Sequence, residues 1–269
     1  MTNSKEWITA TSTPKTDVET LRHYKACGIY GIEISLRWTE YDDMDLPQIV
    51  RNAREADIAI CSLHLPFSHA ISIATLNEED RAAAIAMQRR LIVYGSENGI
   101  HRFVLHPSSE PIADEDRARC MQLAKEALAD LAQLADENGS VICVEDLPRT
   151  CLGHTADEML ELLSADDRLR VCFDVNHLLL SNGSTHKECV EKLGSKIVTL
   201  HLSDYDFIDE RHLLPGNGLL NWNEVITLLE EADYSGPFMY EVSHTNAPGP
   251  LDYPELKKRQ LAIKTYTGK

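Results

Sequence analysis

Four acidic or imidazole side chains stand at the ends of four separate strand-like runs of this sequence. They are Glu145 in VICVE, Asp174 in RVCFD, His201 in IVTLH and Glu241 in PFMYE. Helix-like segments separate the runs, so we expect the strand ends to converge and these side chains to meet. Converging carboxylates repel one another and are costly to bury unless a cation neutralises them. The four residues therefore predict a site for one divalent ion. A set so rich in carboxylates favours Mn²⁺ or Mg²⁺, with Co²⁺ or Zn²⁺ as alternatives.

Further histidines lie close to strand-like ends. His64 ends a run in SLHLPF, His106 ends one in VLHPSSEP, and His177 follows another in FDVNH. A lone histidine at a strand end is more often a hydrogen-bonded structural residue than a ligand, and that interpretation stays open for His64 and His106.

The segment after His201 reads LSDYDFIDERHLLPGNG and is too polar for a core. It carries Arg211 and His212. A cation and an imidazole beside a metal site would suit the hydroxyls or a phosphate of a substrate. The alternative is a solvated loop that turns the chain into the next helix.

Eight strand-like runs position these residues. They begin at Trp7, Gly31, Ile58, Arg102, Val141, Arg170, Ile197 and Pro237. Several are apolar almost throughout, as parallel strands covered by helices on both faces are. Helical patterns alternate with them at a spacing of about 30 residues, which is the length of a βαβ unit. This order predicts a single (β/α)8 barrel domain over residues 1–269, with its active site at the carboxyl ends of the strands. The alternative, a doubly wound open sheet, usually has a glycine-rich turn after its first strand, and TSTPKTDVE is not one.

Composition narrows the class of partner. The formal net charge is −17, with an isoelectric point near 5.0, and so acidic a surface argues against nucleic-acid binding. No apolar run is long enough for a membrane span and the N-terminus has no signal-peptide pattern, so we expect a cytoplasmic protein. The seven cysteines include no CxxC pair, which predicts buried free thiols.

The motifs together resemble the xylose isomerase-like TIM-barrel superfamily of sugar isomerases and epimerases, from Ile8 to about Thr265. They are the strand of Glu145, FDVNH, HLSD, RHLLPGNG and the YE pair that ends in Glu241. The resemblance implies that Glu145, Asp174, His201 and Glu241 hold the metal, and that Glu145 and Glu241 also transfer protons. It implies that His177 binds substrate oxygens. In this superfamily an arginine several residues past the histidine of the seventh strand often does the same, and Arg211 would be its counterpart here.

The reaction expected from these parts is proton abstraction beside the carbonyl of a sugar or sugar phosphate, through a metal-stabilised enediolate. Return of the proton to the opposite face of the same carbon gives epimerisation, and return to the neighbouring carbon gives aldose–ketose isomerisation. A keto-sugar lyase would use much the same parts. In this interpretation His64 and His106 bind substrate hydroxyls or a second ion. Oligomeric state stays open, although members of this superfamily are often dimers or tetramers.

The same superfamily includes the zinc-dependent family-IV apurinic/apyrimidinic endonucleases, which use three zinc ions and more histidines. This sequence has counterparts for many of their ligands, among them His64, His106 and His212. It departs from their pattern at Glu210, where that branch has Asp. The endonuclease activity is therefore the second hypothesis.

Overall fold

Eight parallel β-strands form the centre of the computed structural model, which describes residues 7–177 and 184–242. The strands are β1 Thr9–Thr13, β2 Gly31–Ile34, β3 Ala59–His64, β4 Arg102–Leu105, β5 Val141–Glu145, β6 Arg170–Asp174, β7 Ile197–His201 and β8 Phe238–Tyr240. Neighbours in sequence pair in the sheet, and β8 returns to pair with β1. A parallel bridge between Leu202 and Tyr240 connects the ends of β7 and β8, with Leu202 N donating to Met239 O over 2.9 Å. The predicted (β/α)8 barrel is confirmed.

Seven α-helices alternate with the strands in the described part of the chain. They are α1 Val18–Ala26, α2 Leu46–Ala56, α3 Glu78–Glu97, α4 Asp114–Glu137, α5 Ala156–Leu163, α6 His186–Leu193 and α7 Trp222–Glu231. The Asn221 side chain caps α7, because it accepts a hydrogen bond from Glu224 N. Helices α3 and α4 end before Gly99 and Gly139, which have φ angles of +83° and +68°, a left-handed conformation that favours glycine. The eighth helix of the predicted barrel and the rest of the predicted 1–269 domain lie outside the described residues.

The helices cover the barrel with a continuous apolar layer, and a small separate cluster of Val104, Cys143 and Cys172 fills the barrel interior. All seven cysteines are free, as expected; five are buried, whereas Cys27 and Cys61 are half-buried. Among the described residues, no helix is both long and apolar enough to cross a membrane. Polar side chains buried at the carboxyl ends of the strands interrupt this apolar packing and form the site described next.

Candidate active site and metal centre

Glu145 is the centre of a polar cluster in the mouth of the barrel. It is the last residue of β5, and only 1% of it is exposed. Its Oε1 lies 2.9 Å from Nδ1 of His201. Its Oε2 lies 3.2 Å from Nε2 of His64 and 3.2 Å from Nε2 of His106. The carboxyl ends of β3, β4 and β7 thus direct imidazoles at one carboxylate.

The four residues expected to hold a metal come together here. Glu145, Asp174, His201 and Glu241 each offer a ligand atom, and these atoms lie within 4.8 Å of one another. His201 ends β7 and Asp174 ends β6, whereas Glu241 comes one residue after β8. The Oε2 of Glu241 lies 3.3 Å from Nδ1 of His201, and its side chain is 22% exposed. Glu241 therefore lies on the solvent side of the cluster and Glu145 on the buried side.

The residues fit a divalent ion for a reason visible at Asp174. Its Oδ1 accepts from the backbone N–H groups of Asn176, over 2.6 Å, and His177, over 3.2 Å. Its Oδ2 is buried and has no hydrogen-bond partner among the residues that the structure describes. A buried carboxylate oxygen without a donor is costly unless a cation satisfies it. Three carboxylates and one imidazole form a set of hard ligands, which suits the expected Mn²⁺ or Mg²⁺.

A second potential ligand group overlaps the first. His64, Glu145 and His201 also offer atoms within 4.8 Å of one another. The ring of Phe67, which is 43% exposed, stacks on His106 with a centroid distance of 4.0 Å. His64 and His106 therefore lie between the buried carboxylate and an aromatic side of the mouth.

Charge within the cluster shifts its protonation. Burial alone would raise the pKa of Glu145, but His201 and His106 outweigh it and hold this pKa well below its usual value. Burial would lower the pKa of His201, yet the carboxylates around it, including Glu145 and Glu241, raise it well above 6.5. These opposite shifts of pKa show that the buried carboxylate depends on positive charge nearby, which a divalent cation would also supply.

The remaining substrate-binding candidates fall into two groups. His177 and His212 converge on Oε1 of Glu210, with their Nε2 atoms at 2.9 Å and 3.1 Å from it. His212 also lies 3.2 Å, through Nδ1, from the backbone oxygen of Glu241, which joins it to the metal ligands. Arg211 is different: its half-exposed guanidinium pairs with Asp206 of the same loop, Nε to Oδ2 at 3.2 Å. The role of Arg211 in substrate binding stays a prediction.

Two carboxylates whose side chains contact histidines of this region are absent from the sequence-based set of site residues. Glu33, on β2, is fully buried, and its Oε1 lies 2.9 Å from Nε2 of His201. Glu210 bridges the two histidines above, and its Oε2 also lies 3.2 Å from Nη1 of Arg149, whose Nε and Nη2 donate to Glu110. The signal for Glu33 was present, because a glutamate interrupts the apolar strand GIEISL. The sequence gives no comparable signal for Glu210, which differs only from the Asp that the endonuclease branch has at this position.

Comparison with known proteins places this geometry in a family. Residues 21–262 match the model of the xylose isomerase-like TIM barrel. An uncharacterized protein of Methanocaldococcus jannaschii is 26% identical over 220 residues, which cover 80% of this chain and 73% of that protein. The 3-dehydro-D-guloside 4-epimerase of Escherichia coli is 25% identical over 250 residues, covering 85% and 87%. An inosose dehydratase of Histophilus somni is 29% identical over 161 residues, but the match spans only 52% of this chain and 53% of that enzyme.

Solved structures agree in fold. A D-tagatose 3-epimerase-like protein superposes with a TM-score of 0.82 at 22% identity, covering 96% of this chain and 97% of that one. A D-psicose 3-epimerase solved with D-fructose superposes with a TM-score of 0.76 at 17% identity, covering 96% and 98%. At such identity the likeness concerns the barrel alone. The family match, in contrast, extends over most of the chain, and the protein therefore belongs to the xylose isomerase-like TIM barrel family.

Proposed function

We propose that this protein is a divalent-metal-dependent epimerase or isomerase of a small sugar. The observation that carries the proposal is the convergence of Glu145, Asp174, His201 and Glu241 at the carboxyl ends of the barrel strands, with ligand atoms within 4.8 Å of one another. Relatives and structural neighbours named as 3-epimerases, a 4-epimerase and an inosose dehydratase support it. The reactions in those names have a common first step in chemical terms, the loss of a proton beside a carbonyl.

The bound ion would supply positive charge next to the carbonyl and hydroxyl oxygens of the sugar, which acidifies the intervening C–H group. Glu145 and Glu241 flank Nδ1 of His201 at 2.9 Å and 3.3 Å, so both carboxylates reach the space where those oxygens would lie. One removes the proton and the other returns it. Because they differ in exposure, 1% against 22%, Glu241 is the carboxylate open to solvent exchange.

The surrounding side chains would bind the rest of the sugar. His64 and His106 on one side, and His177 and His212 on the other, present imidazoles suited to hydroxyls. Phe67 offers an exposed ring face that can cover the apolar face of a sugar ring.

The charge at the rim favours a neutral sugar over a sugar phosphate. Arg149 is held by the carboxylates of Glu110 and Glu210, and Arg211 pairs with Asp206. A phosphate would have to compete with these carboxylates for either guanidinium.

A screen of ketoses, aldoses and their phosphates in deuterated water tests the proposal, after metal analysis of the purified protein. We expect label at a carbon beside the carbonyl, dependence on an added divalent ion, and loss of labelling in Glu145→Gln and Glu241→Gln. Glu55→Gln is a matched control, since Glu55 is exposed on α2 and pairs with Arg22. Full activity of metal-free protein, or of either site variant, would contradict the mechanism. Label accompanied by loss of water from the sugar would instead identify the lyase.

Metal-dependent incision of abasic DNA is the second candidate function. It is favoured by the additional imidazoles, because His64 forms a second ligand group with Glu145 and His201, beyond the needs of one ion. The net charge of −17 disfavours it. Incubation with a duplex that contains one abasic site distinguishes the two, since incision at catalytic rates would replace the sugar proposal.

A further inference from the structure

A fully buried carboxylate, Glu33, lies directly behind the candidate metal site. It projects from β2, which has no residue in the predicted ligand set. Its Oε1 lies 2.9 Å from Nε2 of His201, and its Oε2 accepts a hydrogen bond of 2.6 Å from Oγ of Ser62 on β3. Each oxygen therefore has one defined partner, and Glu33 joins β2 and β3 to the end of β7.

The two ring nitrogens of His201 have different surroundings. Nδ1 faces the ligand cluster, 2.9 Å from Oε1 of Glu145 and 3.3 Å from Oε2 of Glu241, whereas Nε2 faces Glu33. A neutral imidazole carries one N–H group and one free lone pair. If His201 is to bind an ion in the cluster, the lone pair must be on Nδ1 and the proton on Nε2.

An ionised carboxylate only accepts hydrogen bonds, so a Glu33 carboxylate at 2.9 Å selects the form of His201 that has its proton on Nε2. The orientation of the ring is held from the side as well, because His64 stacks on it at a centroid distance of 5.6 Å and an interplanar angle of 14°. A partner behind a metal-binding histidine also makes the imidazole a stronger ligand.

We propose that Glu33, itself held by Ser62, is a positioning residue that orients His201 and keeps the proton on its Nε2 when Nδ1 binds the ion. This inference rests on the metal site of the proposed function, although not on its sugar chemistry. Glu33 touches neither ion nor substrate, and it acts only through His201.

A structural role alone would not require a carboxylate. A glutamine could bond to both His201 and Ser62 within the same volume, without the penalty of burying a charge. Glu33→Gln therefore separates the two roles: a merely structural residue would leave metal affinity unchanged in this variant. The positioning role requires a weaker site, because the amide has no charge and can also turn its NH₂ group toward Nε2, which favours the wrong tautomer.

The dissociation constant for Mn²⁺, measured by electron paramagnetic resonance of the free ion, tests the proposal. We expect Glu33→Ala to raise it by about 10- to 100-fold, the usual effect of removing such a partner. We expect Glu33→Gln to lie between this variant and the wild type, and Ser62→Ala to have a smaller effect. Thr199→Val is the matched control: Thr199 is buried on β7 two residues before His201, and its Oγ1 has no hydrogen-bond partner within the described ranges. It should bind Mn²⁺ like the wild type. Folded Glu33 variants with the wild-type constant would overturn the proposal.

A measurement on the wild type covers the case in which the Glu33 variants do not fold. In protein loaded with diamagnetic Zn²⁺, ¹⁵N–¹H correlation spectra of the histidine rings should show His201 with a protonated Nε2 and a metal-bound Nδ1. A metal-bound Nε2 would overturn the proposal directly. Neither measurement uses a sugar, so a failed substrate screen with these results intact would reject the sugar chemistry and leave the role of Glu33 standing.

Discussion

Replacement of Glu145 by glutamine is the most informative perturbation of this protein, because one carboxylate supports both the fold and the proposed chemistry. It is 1% exposed and lies within 2.9–3.2 Å of three imidazoles, those of His201, His64 and His106. A glutamine of the same size would place an NH₂ group against at least one of these rings. The loss of charge, more than the change of shape, should decide the outcome.

The expected magnitudes follow from this geometry. Removal of one partner from a buried ion pair typically destabilises a protein by about 3–5 kcal/mol. The imidazoles can lose their protons in response, so we expect the lower part of that range for the metal-free protein. At roughly 2–4 °C per kcal/mol for a chain of this size, the melting temperature should fall by roughly 6–12 °C. Loss of an acid or base group should lower kcat by about 10²- to 10⁴-fold even at saturating metal.

Thermal denaturation with and without MnCl₂ measures the first effect, and the deuterium-labelling assay measures the second. Glu241→Gln is the comparison within the site. The Glu241 side chain is 22% exposed and lies 3.3 Å from His201, so this variant should lose as much turnover as Glu145→Gln but much less stability. If Glu145→Gln has the melting temperature of the wild type and Mn²⁺ raises that temperature by as much, this carboxylate is neither a ligand nor the centre of the cluster.

Two further predictions concern stability away from the site. The hydrogen bonds of Glu158 with His154 and Arg117 outweigh its burial and lower its pKa from 4.5 to about 2, so its stabilising effect is full above pH 4.5 and is lost as the pH falls toward 2. The full shift corresponds to roughly 3 kcal/mol, which solvent screening reduces to about 1–2 kcal/mol. Urea denaturation should show that Glu158→Gln has a free energy of unfolding lower than the wild type by this amount at pH 7, and by less at pH 3. An equal loss of stability at both pH values would refute the prediction. In Gly95→Ala the new Cβ would lie 2.5 Å from the buried ring of Phe103, so despite better helix propensity we expect a net loss of about 1–3 kcal/mol, measured as a lower melting temperature; an unchanged or higher value would show that the ring can move.

The strand ends were predictable from sequence because two independent signals coincide there. Apolar runs of strand length mark β5, β6 and β7, and each ends in a residue that is costly to bury, Glu145, Asp174 or His201. A parallel barrel brings such ends together whatever the details of its loops. The eight-stranded topology and the grouping of four ligands therefore needed no knowledge of tertiary packing.

The residues of the candidate site that lie in the loop after β7 were not predictable in the same way. Glu210 and Arg211 are adjacent in sequence, yet Glu210 contacts His177 and His212 while the Arg211 side chain is half-exposed beside Asp206. Which neighbour faces inward depends on the backbone of a hairpin tied at Asp204 and Leu213, in which His212 has a φ angle of +46°. No periodic pattern encodes that geometry. The sequence pattern therefore led to Arg211, and the contacts lead to Glu210.

Strand register explains why the candidate metal ligands are the most firmly determined part of the site. Asp174 and His201 are direct partners across β6 and β7, so the spacing of about 4.8 Å between neighbouring strands sets the distance between them. A slip of one residue would turn His201 out of the barrel and would also separate its Nε2 from Glu33 on the far side. Register thus fixes the ligand and its positioning partner together. The rim residues Phe67, Glu210 and Arg211 have no such constraint, because they lie beyond the strands. If the proposed function is correct, we expect substrate choice to vary there more readily than the candidate metal site.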